Sequence, residues 1–321
     1  IVTEAMVQKL LIEDKACVGV AYEHGGEVIE VRAAKEVILA AGGVASPQVL
    51  ELSGIGRPDV LKAQGIAVQH QLDAVGENLR DHINARIQWR ITESDISYND
   101  RMRGFGKVRE VWRYATTRGG FFSLPSAPLL AFMKTRPELE TPDIQCHIVP
   151  YTIKDVSRRL MGEKPGLTIA CYQLRPESLG TIHIKSPDPS VHPAIRFNFL
   201  SDPIDQDVMV EGIRSVRHLV AAKALDGIRG EEFSPGTAVA TDDEILSWIR
   251  GEAVTAYHPI GTCRMGPAGR GTVVDDHLKV HGLRGLRIAD ASIMPTMISG
   301  NTNAAAIMIG EKASDLIRED H

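Results

Sequence analysis

Tyr257-His258-Pro259-Ile260-Gly261-Thr262-Cys263-Arg264-Met265-Gly266, taken with Ser299-Gly300-Asn301-Thr302-Asn303, is the part of the sequence on which the reading of the whole chain turns. Pro259 offers no backbone donor and fixes its own φ, while Gly261 and Gly266 permit turns, so the pattern predicts His258 on a stiff, non-helical connection that aims its imidazole. Asn301 follows a glycine and precedes the apolar run Ala304-Ala305-Ala306-Ile307-Met308-Ile309, which predicts its carboxamide at a helix N-terminus among free backbone N–H groups. One titratable base and one amide donor then converge on a ligand. Taken singly, His258 also reads as a loop histidine with satisfied partners and Asn301 as an ordinary N-cap.

Two further stretches carry comparable information: Leu286-Arg287-Ile288-Ala289-Asp290-Ala291-Ser292-Ile293-Met294-Pro295, and Ser46-Pro47-Gln48-Val49-Leu50-Glu51-Leu52-Ser53-Gly54-Ile55-Gly56. Together with the His258 and Asn301 segments, and in the same order, they resemble the signatures of the glucose-methanol-choline (GMC) oxidoreductase family, most of all its choline-dehydrogenase-like members. Gly43 departs from the pattern, standing where the family usually has Ala. Val75-Gly76-Glu77-Asn78-Leu79-Arg80-Asp81-His82 is similar to the family's G-x-N-L-x-D-H stretch; His82 is read as structural rather than as a second base.

The resemblance implies a mixed fold, α+β to α/β. Part of a Rossmann-like FAD-binding domain is expected at residues 1–75 and 258–321, and a substrate domain with a largely antiparallel sheet flanked by helices at 76–257. The G-x-G-x-x-G turn that receives an FAD pyrophosphate in such a fold does not occur in the sequence. The N-terminal βαβ unit is therefore expected to be missing, and the chain to work with an N-terminal FAD-binding segment of the same protein, on a separate chain or lost by truncation.

The order of elements is partly legible without the resemblance. Val2–Ile12, Cys17–Tyr22, Val28–Val31 and Val37–Ala41 read as strands, with a hairpin turn at His24-Gly25-Gly26. Glu36–Gly43 is a continuous apolar run ending in glycines, the pattern of a strand buried on both faces whose C-terminal end admits a close backbone approach. Ser46-Pro47 predicts an N-cap followed by proline at the first helical position. Residues 101–118 read as an amphipathic helix with a solvated basic face, followed by a hinge-like loop at Gly119–Phe122 with the alternative role of a lid. Asp143–Val149, Leu167–Leu174, Gly180–Lys185 and Ala194–Phe199 read as one antiparallel sheet, with Gln145, His147 and Gln173 as substrate neighbours or simple surface polarity. Asp205–Leu225 is a long amphipathic helix, and Thr241-Asp242-Asp243-Glu244 a capping box.

Composition bounds the function. The chain has 321 residues, 43% of them hydrophobic, and a formal net charge of −5, which argues against a nucleic-acid partner. Cys17, Cys146, Cys171 and Cys263 lack metal-ligand spacing and read as reduced core thiols, in keeping with a cytoplasmic setting.

The resemblance further implies that His258 removes the hydroxyl proton of a primary alcohol, that a hydride passes from its carbon to flavin N5 to give an aldehyde, and that Asn301 holds the oxygen in line. Dioxygen or another electron acceptor then reoxidises the flavin. FAD contacts are expected from Ala41, Gly42, Asp290, Ala291, Asn301 and Thr302, with the dipole of the last helix directed at the flavin pyrimidine; by its residues alone Asp290 equally caps the next turn. No metal is expected. Two other readings stand beside this one: a non-redox, hydroxynitrile-lyase-like protein, and an inactive fragment that binds no FAD.

Overall fold

A strand meander over residues 6–32 opens one unit of the computed structural model, and Ile83–Ile91, whose apolar residues alternate with polar ones, opens the sheet of the other; the structure describes residues 1–125, 127–155, 158 and 160–321. The first unit comprises Ile1–Asp81, Arg175–Asp202 and Tyr257–His321; the second comprises His82–Leu174 and Pro203–Ala256.

The first unit opens with an antiparallel meander of Met6–Glu13, Ala16–His24 and Glu27–Arg32. Both of its turns are two residues long with φ positive at each: 47° and 58° at Asp14-Lys15, 61° and 86° at Gly25-Gly26. That geometry matches the right-handed twist of the flanking strands, and the glycine pair is the turn expected from sequence. Val37–Leu39 then pairs in parallel with Leu286–Ile288, and Ala289 N–H reaches Leu39 O at 2.9 Å. Leu39, Leu50, Ile260, Val274, Leu286, Ile288, Ile293, Ile309 and Leu316 share the buried core around this pair.

Arg175–Asp202 belongs here rather than to the second unit, where the sequence places it. Leu79 and Gly180 exchange backbone hydrogen bonds of 2.9 and 2.8 Å, and Ile182 N–H donates to Gly76 O at 2.7 Å. The imidazole of His183 lies 2.7 Å from buried Glu51 and 3.2 Å from Glu77. Thr181–His183 and Ala194–Arg196 form their own hairpin and do not extend the large sheet.

A second correction concerns the helix after Val37–Leu39. It runs Gly42–Leu52 with Ala41 as N-cap, so Pro47 lies inside it and Ser46 is not its cap. Proline removes the N–H that would bond the carbonyl four residues back, at Gly43. The Thr262 hydroxyl supplies the missing donor, 2.7 Å from Gly43 O.

The second unit is built on a six-stranded antiparallel sheet in the order Arg229–Ser234, Ile83–Ile91, Gly166–Gln173, Ile144–Val149, Leu129–Met133, with Val254–Thr255 also pairing to Ile83–Ile91. Helix Pro203–Val220 covers its apolar face; a Cβ at Gly212 would stand 3.1 Å from Cys171 Sγ, so the small residue allows the close approach. Helix Asp242–Glu252 starts at the Thr241/Glu244 capping box. In helix Gly104–Thr117 the basic side chains Lys107, Arg109 and Arg113 are solvated as expected, but the apolar residues are not buried: Phe105, Val108 and Trp112 are exposed, while Glu110 is buried and accepts the Phe121 N–H at 3.0 Å. No helix among the described residues is long and apolar enough to cross a membrane.

Candidate active site

The His258 segment is held from both sides along its length. Ile260 exchanges backbone hydrogen bonds with Arg80 at 3.0 and 3.1 Å, Gly76 N–H donates to Thr262 O at 2.9 Å, and the Asn78 carboxamide donates to Gly261 O at 3.2 Å. On the other side Cys263 N–H reaches Ser292 O at 2.9 Å and Met265 N–H reaches Ile293 O at 2.7 Å. Gly261, with φ 84°, is required: a Cβ there would meet Asn78 O at 2.5 Å. A Cβ at Gly43 would likewise meet Pro259 O at 2.3 Å, so this departure from the family pattern fits the path of the His258 loop.

At the loop's start the backbone turns through Tyr257, a non-glycine residue at φ 62°, a conformation that costs on the order of 1 kcal/mol and is retained only where the surroundings impose it. The next N–H, that of His258, donates to Asp81 Oδ1 at 2.9 Å. The half-buried imidazole then meets the Asn301 amide, with Nδ2 of Asn301 3.2 Å from Nε2 of His258. With the amide donating, Nε2 is an acceptor and the neutral ring carries its proton on Nδ1.

Asn301 differs from expectation in one respect. The last helix runs Asn303–Asp320 with Thr302 as N-cap, so Asn301 precedes the cap and its carboxamide engages His258 instead of the helix. Thr302 places no side chain on the first-turn N–H groups, which remain available to an electronegative group.

Ala41, Gly42, Asp290 and Ala291 come together at the carboxyl ends of the two parallel strands. The Asp290 carboxylate accepts from Gly42 N–H at 2.9 Å, the Ser46 hydroxyl at 2.6 Å and Ser292 N–H at 2.7 Å. The Ser46 oxygen in turn accepts Ala41 N–H at 3.2 Å, and Ala291 O accepts Gly261 N–H at 3.4 Å. Asp290 caps the turn Ala291–Ile293, as its residue type alone allowed, and also locks the Gly42 backbone. Space is open around Gly42, at φ 84°, and Gly300: no atom lies within 4 Å of a Cβ built at either.

Sequence reasoning passed over Asn78, Asp81, Ser46 and Thr262. The G-x-N-L-x-D-H stretch held a signal for the first two, but attention fell on His82. That residue is fully buried in the second unit, with Nε2 3.0 Å from Leu174 O and its ring 4.8 Å from that of Tyr172.

Residues 1–84 and 176–310 match two family models, for the N- and C-terminal parts of one family, each described as GMC oxidoreductase. The chain belongs to the GMC oxidoreductase family. Among its GMC relatives, the oxygen-dependent choline dehydrogenase of Cronobacter sakazakii is 41% identical over 99% of this chain and 57% of that protein. That of Pseudomonas putida is 40% identical over 99% and 56%. Of solved structures, a formate oxidase of Aspergillus oryzae superposes with TM-score 0.90 at 27% identity, covering 99% of this chain and 60% of that one. An FAD-dependent oxidoreductase from Chaetomium thermophilum gives TM-score 0.88 at 26% identity, covering 100% and 62%. The chain thus spans a little over half the length of these proteins. The fold is the mixed α/β arrangement of the family, with largely antiparallel sheets. The match of the N-terminal model to residues 1–84 does not support the expectation that the family's N-terminal unit is missing.

Proposed function

We propose that this chain carries the base and the oxygen-positioning amide of an FAD-dependent enzyme that oxidises a primary alcohol to an aldehyde. The observation that carries the reading is the His258–Asn301 contact at 3.2 Å, made by a loop fastened through Asp81, Arg80 and Asn78 on one side and Ser292 and Ile293 on the other. A base that must meet a substrate hydroxyl in line gains from such fixation, because orientation is secured before the substrate arrives.

The residues fit an FAD. Ala41 and Gly42 present open backbone at the carboxyl ends of the parallel strands, Asp290 fixes that backbone from beneath, Ala291 continues it, and the uncapped helix after Asn301 and Thr302 offers N–H groups and a positive dipole end to a group that gains negative charge. When bound, FAD would supply the acceptor for the hydride leaving the alcohol carbon. His258 Nε2 takes the hydroxyl proton, and the Asn301 amide donates to the oxygen that loses it. An N-terminal FAD-binding segment of the same protein, and dioxygen or another electron acceptor, complete the proposal. Exposed Ile38, Ile307 and Met308 are the apolar residues such a segment would cover.

The test is a visible spectrum of the purified protein before and after anaerobic addition of a primary alcohol. Bleaching of a flavin band supports the reading. Cyanohydrin cleavage with an unbleached flavin would replace it by the lyase reading, and absence of flavin from full-length protein would sink it.

A further inference from the structure

A cavity of about 510 Å³ lies wholly within the second unit, lined by Tyr98, Phe121, Phe122, Tyr151 and Arg86 together with aliphatic side chains such as Leu160. Its size falls in the roughly 300–1,000 Å³ range of small-molecule sites, and an apolar wall with one polar group is their usual make-up. Among the described residues Arg86 is the one charged side chain in the lining.

The aromatic wall is built rather than incidental. Tyr98 sits edge-on to Phe121 with centroids 4.3 Å apart and stacks on Tyr151 at 5.9 Å; Phe121 meets Phe122 at 5.4 Å. Buried polar residues on either side of Tyr98 hold its short helix in place. The Ser97 hydroxyl lies 3.1 Å from Pro150 O and 3.2 Å from Gly166 O, and Asn99 bonds Gly162 O at 2.8 Å and Thr152 N–H at 2.9 Å. Tyr98 N–H itself donates to Pro150 O at 2.7 Å. Buried Glu110 fixes Phe121 through its N–H, and Gly120 at φ 81° sits in a conformation that favours glycine.

The sheet sets the charge. Arg86 and His147 both stand opposite Ala170 in neighbouring registers, so they share one face of the sheet. Burial, reinforced by the Arg86 charge, holds the His147 imidazole below its usual range, so it adds no second cation at neutral pH. Flat aromatic faces alone would suit a quaternary ammonium, but a guanidinium in the same wall repels one.

We infer that this cavity binds a small molecule with an aromatic or branched apolar body and a carboxylate, the carboxylate pairing with the Arg86 guanidinium and the body packing on Tyr98, Phe121 and Phe122, and that it rejects quaternary ammonium compounds. The inference concerns binding and stands apart from the oxidation proposed above.

Titration calorimetry of the purified protein with phenylacetate, 2-phenylethanol and choline tests it without any turnover. Phenylacetate binds more tightly than 2-phenylethanol, and choline gives no heat of binding. Arg86→Met lowers phenylacetate affinity by about tenfold or more while leaving 2-phenylethanol within about threefold, and Arg86→Lys retains part of the difference. Phe122→Ala, at a position 42% exposed and therefore tolerant of truncation, weakens both aryl ligands. Choline binding as tightly as phenylacetate, no binding of either aryl compound, or an Arg86→Met protein that melts normally and binds phenylacetate unchanged would each overturn the inference.

Discussion

Thr262→Val removes one hydroxyl and keeps the volume of a residue that is fully buried. Its hydroxyl is the donor to Gly43 O at 2.7 Å, in place of the N–H that Pro47 lacks. Leaving a buried carbonyl unpaired costs about 1–3 kcal/mol, and the isosteric methyl returns little of it. The structure also says how to rescue the variant. Pro47→Ala restores a helical N–H aimed at Gly43 O, so Thr262→Val in that background should cost less than about 1 kcal/mol, a coupling energy on the order of 1–2 kcal/mol. Pro47→Ala alone carries a modest penalty from the freer unfolded chain, about 0.4–1 kcal/mol, which cancels in the cycle. Urea denaturation of the four proteins, fitted for midpoint and slope, gives the coupling directly. If Thr262→Val costs the same in both backgrounds, within about 0.5 kcal/mol, the carbonyl is satisfied in some other way and the account of Pro47 fails.

Two further perturbations probe the same unit. Arg287 is 1% exposed and bridges Glu36 Oε2, at 2.8 Å, to Asp320 and to His277 O; Arg287→Met should cost about 1–3 kcal/mol by breaking these bonds while His321 stays 3.0 Å from Glu36 Oε1, read as a lowered urea midpoint, and an unchanged midpoint would refute a structural role. At His183 burial opposes the charged imidazole, but Glu51 and Glu77 outweigh it and raise its pKa. A raised folded-state pKa binds the proton more tightly than the unfolded chain does, so this stabilisation is present at low pH and is lost as pH rises through the raised value. Denaturation midpoints from pH 5 to 9 should therefore show a decline above neutrality that His183→Gln removes; identical pH profiles for the two proteins would contradict the assignment.

The local patterns of this chain were legible and its long-range pairings were not. Glycines at 25 and 26 announce a tight hairpin, and Thr241 with Glu244 announces a helix start, because both signals act within four residues. Ile83–Ile91 was just as open to reading: Ile83, Ala85, Ile87, Trp89 and Ile91 alternate strictly with Asn84, Arg86, Gln88 and Arg90, the period of a half-buried strand, although the sequence analysis assigned no strand there. Ser46-Pro47 misleads because the same dipeptide that starts many helices here sits inside one, and its defect is repaired at Gly43 O by Thr262, 219 residues from Gly43. The contact of Asp81 with the His258 backbone spans 177 residues, and nothing local marks it. Helix Gly104–Thr117 shows the limit of amphipathic patterning: a single buried Glu110, engaged by the Phe121 N–H, accompanies exposed Phe105 and Trp112. At the candidate site, His258 and Asn301 were named from motif and resemblance, and the structure brings them together. Their direct contact depends on the helix starting two residues after Asn301, which propensity does not specify.

The most direct test of the account is the single-turnover rate of anaerobic flavin reduction by a primary alcohol, measured by stopped flow in flavin-loaded full-length protein and in its His258→Ala variant. Removing the base should slow reduction by about 10²–10⁴-fold while the flavin content and its resting spectrum stay the same. A His258→Ala protein that keeps its flavin and is reduced at the unaltered rate would contradict the claim that His258 is the base of this enzyme.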